Sequence, residues 1–344
     1  MAPVRVFVSG ATQADREYSD LERNGCEVIF GRPMPDVVLK PYTEGELVEI
    51  AAGHDVFIYS ISDVLSRAVL SAGSSLRLVT APFIGFDQVD LAASTEHGVA
   101  VANSPSVENA RGMAEATIGL VIALIKRLPH NEEKLRTGGW GARADRGDLL
   151  YGKTVGLLGF GRIAREIAAR LVPWGVRIIA HDPYVSPDSV TGVELAELDT
   201  LCVESDVLSL HAVLNEGTRG LINRDRLALM KPGAFLINAA RGELLDEEAL
   251  ADALQSGRLA GAALDTFWVE PLPADSPLLA VPRERLILTP HIIGHTEVGR
   301  KANLRVCLDN VLAAAQGELP PHVVNPEVEA RWKERFGSAV ERPT

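Results

Sequence analysis

Three polar side chains stand just past apolar runs that read as parallel strands. Arg241 follows Ala234–Asn238, Glu270 follows the run ending at Asp265, and His291 follows Leu286–Leu288. In an open parallel sheet, ligands bind outside the carboxyl ends of the strands, so residues spread over about fifty positions are expected on one edge. Their chemistry is complementary. Histidine exchanges a proton near neutral pH. A carboxylate beside it favours the imidazolium and orients the ring. Arginine offers a planar, two-pronged donor for a carboxylate. Each alone has a plainer reading: a surface charge for Arg241, a turn before Pro271 for Glu270, a strand cap for His291. His291 and His295 share the four-residue spacing of a metal pair. Gly294 between them and the strand-end context speak against a helical site, and no second acidic or cysteine ligand is near, so no metal is expected.

The second constellation is Val155–Gly–Leu–Leu–Gly–Phe–Gly–Arg–Ile–Ala, which places Gly159, Gly161 and Ala164 in the pattern G-x-G-x-x-[GA]. Gly159 permits a tight turn, Gly161 lets the backbone approach a pyrophosphate, and a small residue at 164 lets helix and strand pack closely. The following helix directs free N–H groups and its positive end at the phosphates. Glycines alone are weak evidence. Here they follow a strand, open a helix and precede a second strand ending in Asp182, 18 residues beyond Ala164. An acidic residue there grips the adenine ribose hydroxyls and repels a ribose phosphate, which favours NAD over NADP. The alternative for Asp182 is a simple turn at Asp–Pro–Tyr.

The elements that must position these groups alternate along the chain. Val4–Val8, Cys26–Phe30, Val56–Tyr59, Leu76–Pro82 and Val99–Ala102 read as strands, separated by helix-like stretches at Gly45–Ala52, Val64–Ala72 and Val89–Glu96. Such alternation implies an α/β fold whose parallel sheet is covered on both faces. Gly112–Ile125 is apolar nearly all round, as a buried helix would be. Leu128–Tyr151 is a long polar connection holding Gly138–Gly139–Trp140–Gly141, either a surface excursion or a dimer arm. Strands resume at Thr154–Leu158, Val176–His181, Val207–Leu210, Ala234–Asn238, Gly261–Asp265 and Leu286–Leu288. Helices are expected over Ile163–Leu171, from the N-cap Asp246, and over Thr296–Gln316 up to Gly317. The charged stretch 326–344 reads as a peripheral tail.

Composition narrows the class. The 344 residues are 47% hydrophobic and 23% charged, with a formal net charge of −12. That length predicts two domains. The acidic balance speaks against a nucleic-acid surface, and an anionic substrate then needs a local positive group against the global field. The first residues turn polar at Thr12–Asp15, with no apolar stretch of signal-peptide length. The run Ile118–Ile125 falls far short of the roughly 20 residues that cross a bilayer, so no membrane partner is expected. Cys26, Cys202 and Cys307 are scattered singly, which offers neither a disulfide framework nor a metal site and predicts a cytoplasmic protein.

With these residues assembled, the sequence resembles the D-isomer-specific 2-hydroxyacid dehydrogenase family from about Val56 to Asn325. The segments that carry the likeness are Ile84–Gly–Phe–Asp–Gln–Val–Asp, Asn103–Ser–Pro, Met113–Ala–Glu, Gly159–Phe–Gly–Arg–Ile–Ala, Asn238–Ala–Ala–Arg–Gly–Glu–Leu–Leu–Asp, Leu264–Asp–Thr–Phe and Thr289–Pro–His–Ile. The resemblance implies two Rossmann-like or flavodoxin-like domains. A substrate domain of 1–102 plus 293–325 would be interrupted by an NAD-binding domain of 103–292. It implies that Arg241 holds the substrate carboxylate and 2-oxo group and that His291 is the acid/base, hydrogen-bonded to Glu270. Arg162, Ile163, His211, Ala212, Thr218, Ala239, Ala240, Asp265 and Gly294 would border NAD, together with Gly159, Gly161 and Asp182. Phe83, Ile84 and Gly85 would border the substrate, with backbone N–H groups assisting its carboxylate. A homodimer acting on a small 2-oxo or 2-hydroxy acid is implied as well.

Several departures bear on the substrate. Phe83 stands where the family often has glycine, and Val213 where it often has proline. Phosphoglycerate enzymes carry a basic residue near the strand Val56–Tyr59, whereas Tyr59–Ser60–Ile61–Ser62 has none, which disfavours a phosphorylated substrate. Ile84 stands where phosphite dehydrogenases carry lysine, and the Glu–His pair lost in formate dehydrogenases is kept. Phe83, Phe86 and Trp268 point either to an apolar substrate side chain or simply to core packing. Besides a general D-2-hydroxyacid dehydrogenase, the alternatives are a phosphoglycerate or hydroxypyruvate/glyoxylate reductase, and an NAD(H)-binding corepressor on the same fold.

Overall fold

Short runs of Val, Ile, Leu and Ala supply the strands of two all-parallel sheets, each with helices on both faces. The computed structural model describes residues 2–34, 36, 40–186 and 191–337. The chain divides into two units, Met1–Asn109 with Thr296–Thr344, and Ala110–His295.

In the first unit, among the described residues, the strands are β1 (Arg5–Gly10), β2 (Glu27–Pro33), β3 (Val56–Ile58), β4 (Leu78–Thr80) and β5 (Ala100–Ala102), in the order β2-β1-β3-β4-β5. That is a doubly wound order whose reversal lies between β1 and β3. The apolar readings at Leu76–Pro82 and Val99–Ala102 are longer than the paired strands, because burial continues into the flanking turns at Leu76, Ala81 and Val99. Alternation along β1 feeds two cores. Val6 and Val8 join Leu304, Cys307 and Val311 of the helix Glu297–Ala315, while Phe7 joins Leu47, Phe57 and Tyr59 on the opposite face. The helix Glu44–Gly53 starts at a capping box in which Thr43 and Glu46 satisfy each other's backbone N–H groups.

The stretch from 326 is not a peripheral tail where it is described. Pro326–Val328 forms a 3-10 turn and Glu329–Phe336 a helix, with Val328 and Trp332 fully buried in the first core. Trp332 donates its indole N–H to the Arg77 carbonyl at 2.7 Å. Just upstream, Asn325 accepts from the Val101 N–H at 2.9 Å and donates to the Val99 carbonyl at 3.1 Å, anchoring the segment to β5. High charge hid one large apolar residue that decides the packing. Residues 338–344 lie outside the described residues.

In the second unit the described strands are β6 (Thr154–Leu158), β7 (Arg177–His181), β8 (Glu194–Leu195), β9 (Val207–Leu210), β10 (Phe235–Asn238), β11 (Gly261–Leu264) and β12 (Leu286–Leu288). They run in the order β12-β11-β10-β9-β6-β7-β8. The chain reverses its winding between β6 and β9, where Val155 pairs with Val207 and Leu158 with Leu210. One face is covered by Val107–Ile125 and Arg162–Leu171 through Ile118, Leu124, Ala164 and Ile167. The other face is covered by Leu198–Glu204, Arg224–Leu229 and Glu247–Gln255 through Leu201, Leu227 and Leu250. Against the boundaries read from sequence, 103–109 go with the first unit and 293–295 with the second.

The polar stretch Leu128–Tyr151 has structure of its own. A helix over Leu128–Arg136 is tied to the 3-10 turn Arg143–Asp145 by Asp145, which is 8% exposed. Its carboxylate meets His130 Nε2 at 2.8 Å and Lys134 Nζ at 2.5 Å, and accepts the Ala142 N–H at 2.6 Å. These partners hold the carboxyl well below its ordinary range.

Candidate active site

At the reversal point of the seven-stranded sheet, the glycine loop is pinned from three strands. The Gly159 N–H donates to the His181 carbonyl at 2.8 Å, and the His211 N–H to the Leu158 carbonyl at 2.7 Å. Gly159 has φ +87°, and a Cβ there would lie 2.7 Å from the Ala212 nitrogen. Only glycine fits, because both the conformation and the space exclude a side chain. At Gly161 a Cβ would meet nothing within 4 Å, leaving open space before the helix Arg162–Leu171. No side chain caps that helix, so its first N–H groups face outward in the manner that binds phosphate. Ala164 is fully buried, as close helix–strand packing requires.

Asp182 does more than the sequence implied. Its Oδ2 accepts the Phe160 N–H at 2.8 Å and its Oδ1 the Tyr184 N–H at 2.9 Å, so the carboxylate fastens the loop while keeping lone pairs for a hydroxyl. His211 is half-buried, with Nε2 2.8 Å from Ser209 Oγ, and burial pushes its pKa down to about 4. The edge is therefore lined there by a neutral imidazole. Loop space, uncapped helix N-terminus and acidic residue together fit a dinucleotide.

On the other half of the same sheet, His291 and Glu270 meet. His291 Nδ1 lies 2.8 Å from Glu270 Oε2, and Glu270 Oε1 accepts the Phe267 N–H at 3.0 Å. Burial opposes ionisation of Glu270, but the hydrogen bonds from His291 and Phe267 outweigh it and hold the carboxyl below its ordinary value. His291 itself has φ +52°, a left-handed conformation unusual for a side-chain-bearing residue. Asp265, 2% exposed, secures that turn. It accepts the Thr289 hydroxyl at 2.6 Å, the Ile292 N–H at 3.0 Å and the Ile293 N–H at 3.3 Å. Sequence reasoning gave Asp265 to the cofactor and missed this bracing role, which needs the turn geometry to be seen.

Arg241 leaves β10 half-buried. Asn238 brackets its loop, donating to the Arg241 carbonyl at 2.8 Å and accepting the Ala240 N–H at 3.1 Å, and Arg241 Nη1 donates to the Ala240 carbonyl at 2.7 Å. The next residue locks two loops together: a Cβ on Gly242 would lie 2.0 Å from the Phe267 carbonyl carbon. The segment carrying Arg241 thus touches, backbone to backbone, the segment carrying Glu270.

The remaining residues named from sequence are placed as follows. Ala212 and Ala240 are half-buried against the core beneath helix Glu247–Gln255, and Ile163 against the core on the other face. Ala239 is half-buried between Asn238 and Ala240. Thr218 turns back on its own loop, donating to the Val213 carbonyl at 2.7 Å. Arg162 is exposed at the start of its helix. Gly294 is explained by packing, because a Cβ there would run into the Met113 thioether. Among the described residues, no group of three or more His, Cys, Asp or Glu is placed to hold a metal, and no helix is long and apolar enough to cross a membrane.

In the first unit, Phe83, Ile84 and Gly85 form a loop after β4 whose carbonyls are all engaged. Ser104 N–H donates to Phe83 at 3.0 Å, Asn103 Nδ2 to Ile84 at 2.9 Å, and the Tyr59 hydroxyl to Gly85 at 3.4 Å. Phe83 packs edge-on against Tyr59, with ring centres 5.5 Å apart, and Tyr59 is 1% exposed.

Comparison with known proteins gives the same direction. Residues 118–293 match the family model described as D-isomer specific 2-hydroxyacid dehydrogenase, NAD binding domain. A glyoxylate reductase of Thermofilum pendens is 37% identical over 295 residues, covering 84% of this chain and 86% of that one. A D-3-phosphoglycerate dehydrogenase of Methanocaldococcus jannaschii is 36% identical over 82% of this chain, which spans about half of that protein (54%). A D-lactate dehydrogenase of Aquifex aeolicus, solved with NAD and lactic acid, superposes with a TM-score of 0.82 at 26% identity, covering 93% and 99% of the two chains. Fold, glycine loop and these likenesses agree: the chain belongs to the D-isomer-specific 2-hydroxyacid dehydrogenases, NAD-dependent oxidoreductases.

Proposed function

We propose that this enzyme interconverts a small, non-phosphorylated 2-oxo acid and its D-2-hydroxy acid, with His291 as acid/base, Glu270 as its partner and Arg241 as the substrate's anchor. The observation that carries the reading is the 2.8 Å contact between His291 Nδ1 and Glu270 Oε2. With Nδ1 committed to Glu270, Nε2 is the ring atom that gives a proton to the 2-oxo oxygen in reduction and takes it back in oxidation. Glu270, ionised because of its hydrogen bonds, orients the ring and balances the charge of the imidazolium. Arg241 supplies paired donors to the carboxylate and polarises the 2-oxo group. Gly159, Gly161, Arg162 and Asp182 would hold NAD, which when bound would supply the hydride chemistry at C2.

The preference for a substrate without phosphate rests on Tyr59–Ser62, which carries no basic side chain, and on the burial of Tyr59. A local cationic donor at Arg241 explains how an acidic protein handles an anion. We also infer a homodimer in the cytoplasm. Leu135, Trp140, Leu149 and Tyr151 are all more than 60% exposed in one stretch, and all three cysteines are free. Light scattering of the purified chain tests the dimer.

The catalytic reading is tested by following loss of NADH and NADPH absorbance with glyoxylate, hydroxypyruvate, pyruvate, phenylpyruvate and 3-phosphohydroxypyruvate. His291→Ala is expected to lower kcat on the best of them by roughly 10²–10⁴-fold. Wild-type turnover in that variant, or a strict requirement for the phosphorylated acid, removes the corresponding part of the proposal.

A further inference from the structure

Glu247 opens the helix Glu247–Gln255, one residue after its N-cap Asp246, and nothing in the reaction requires a carboxylate there. Yet its Oε1 accepts the backbone N–H of Trp268 at 2.8 Å. The Trp268 indole N–H donates to the Leu245 carbonyl at 2.5 Å, so both N–H groups of Trp268 are tied to the three residues 245–247. The neighbouring Phe267 N–H is the one that Glu270 accepts at 3.0 Å, and Glu270 in turn meets His291 at 2.8 Å. A continuous line therefore runs from Glu247 through the Phe267 backbone and the Glu270 carboxylate to the imidazole.

The surroundings leave this line little slack. Gly242 lies against the Phe267 carbonyl, where even a Cβ would stand 2.0 Å away. The Trp268 ring lies 5.8 Å from the guanidinium carbon of Arg219, which also approaches Glu243 at 3.7 Å. Keeping Glu247 ionised here has a cost. Burial pushes its carboxyl above the ordinary range, and the charges of Glu243 and Glu270 add to the push against the single N–H that favours ionisation. A carboxyl group kept at such a place is explained by the position of the oxygen that accepts the Trp268 N–H.

We propose that Glu247 is a positioning residue for the acid/base pair: through Trp268 it fixes the 266–270 segment so that the Glu270 carboxylate stays in register with His291. The inference rests on the reading of His291 and Glu270 as that pair. Loops carrying reactive groups tolerate little displacement, and about 1 Å of misplacement lowers turnover by roughly 10²-fold. The role is geometric, so an acceptor of the same shape restores it even without charge.

The test uses the full chain with NADH and the best 2-oxo acid from the panel above, comparing wild type, Glu247→Gln, Glu247→Ala, Glu270→Gln and His291→Ala. Glu247→Ala is expected to lower kcat by roughly 10–100-fold with KM for the 2-oxo acid within about twofold of wild type. Glu247→Gln, which keeps an acceptor oxygen, is expected to recover kcat to within about threefold. Glu247→Ala turning over within about twofold of wild type overturns the proposal. So does a loss that Glu247→Gln fails to rescue, or one seen only in Tm or KM. Wild-type kcat in His291→Ala and Glu270→Gln rejects the acid/base reading itself, and the positioning role with it, whatever Glu247 does.

Discussion

Asp265 grips the chain on both sides of His291: the Thr289 hydroxyl two residues before it, and the N–H groups of Ile292 and Ile293 after it. Between these grips the His291 backbone sits at φ +52°. A left-handed residue of this kind costs roughly 1–3 kcal/mol and persists only when its surroundings over-determine it. Asp265→Ala removes the carboxylate that does so and leaves buried donors unpaired. A loss of roughly 2–5 kcal/mol in urea unfolding is expected, with a fall in kcat although Glu270 and His291 are intact. An unfolding free energy equal to wild type would show that the turn holds itself.

Gly242 is the point where the Arg241 and Glu270 segments touch. A methyl group there collides with the Phe267 backbone at 2.0 Å and with its oxygen at 2.3 Å, and neither is a flexible side-chain end. Gly242→Ala must therefore push the two segments apart. Overpacking costs roughly 1–3 kcal/mol, and here it displaces both functional side chains. The expected outcome is a lower Tm together with losses in both kcat and 2-oxo acid affinity. A variant whose Tm and kinetics match wild type would mean that the segments yield freely.

Much of the second unit is legible in its sequence. The five-residue strand Thr154–Leu158, the glycine loop, Asp182 and the N-cap Asp246 follow from local pattern, because a buried parallel strand and a helix start each leave a contiguous signature. The pairing of Glu270 with His291 was inferred from strand-end positions and from the resemblance, and the 2.8 Å contact supplies the geometry. What was not legible depends on contacts remote in sequence. Asp265 as the brace of a turn 24–28 residues away, Asp182 as the fastening of the Phe160 N–H, and the burial of Trp332 all require the folded chain. Short elements such as Leu198–Glu204 and Arg224–Leu229 escaped because six or seven residues hold too few turns to show a period.

His211 makes stability depend on pH in a defined window. Its folded-state pKa, about 4, lies below the ordinary 6.5 because burial disfavours the charged ring. Between those values the unfolded chain binds a proton that the folded chain refuses. The stability present above pH 6.5 is therefore lost as pH falls towards 4. His295, also lowered by burial, acts in the same sense. The carboxyl of Glu270 lies below its ordinary range, so its contribution fails only at more acidic pH. Tm measured from pH 7.5 to 4.5 should fall less steeply between 6.5 and 5 in His211→Gln than in wild type. Parallel curves would contradict a neutral imidazole at this position.

Asp182, proposed above to hold NAD, also fastens the glycine loop. Its two oxygens each accept one backbone N–H, Phe160 at 2.8 Å and Tyr184 at 2.9 Å. Asparagine offers only one acceptor oxygen and turns N–H against N–H at the other, and alanine offers none. Removing the carboxylate to admit a ribose phosphate therefore also loosens the segment from Gly159 to Gly161. The part-buried Phe160 N–H left without an acceptor costs roughly 1–3 kcal/mol, whereas the exposed Tyr184 N–H can turn to water. Asp182→Ala is expected to lower Tm and raise KM for NADH by about tenfold or more, with little gain in kcat/KM for NADPH, and Asp182→Asn to fall between it and wild type. Efficient use of NADPH by Asp182→Ala at unchanged Tm would separate the two roles and show that the carboxylate serves the ribose alone.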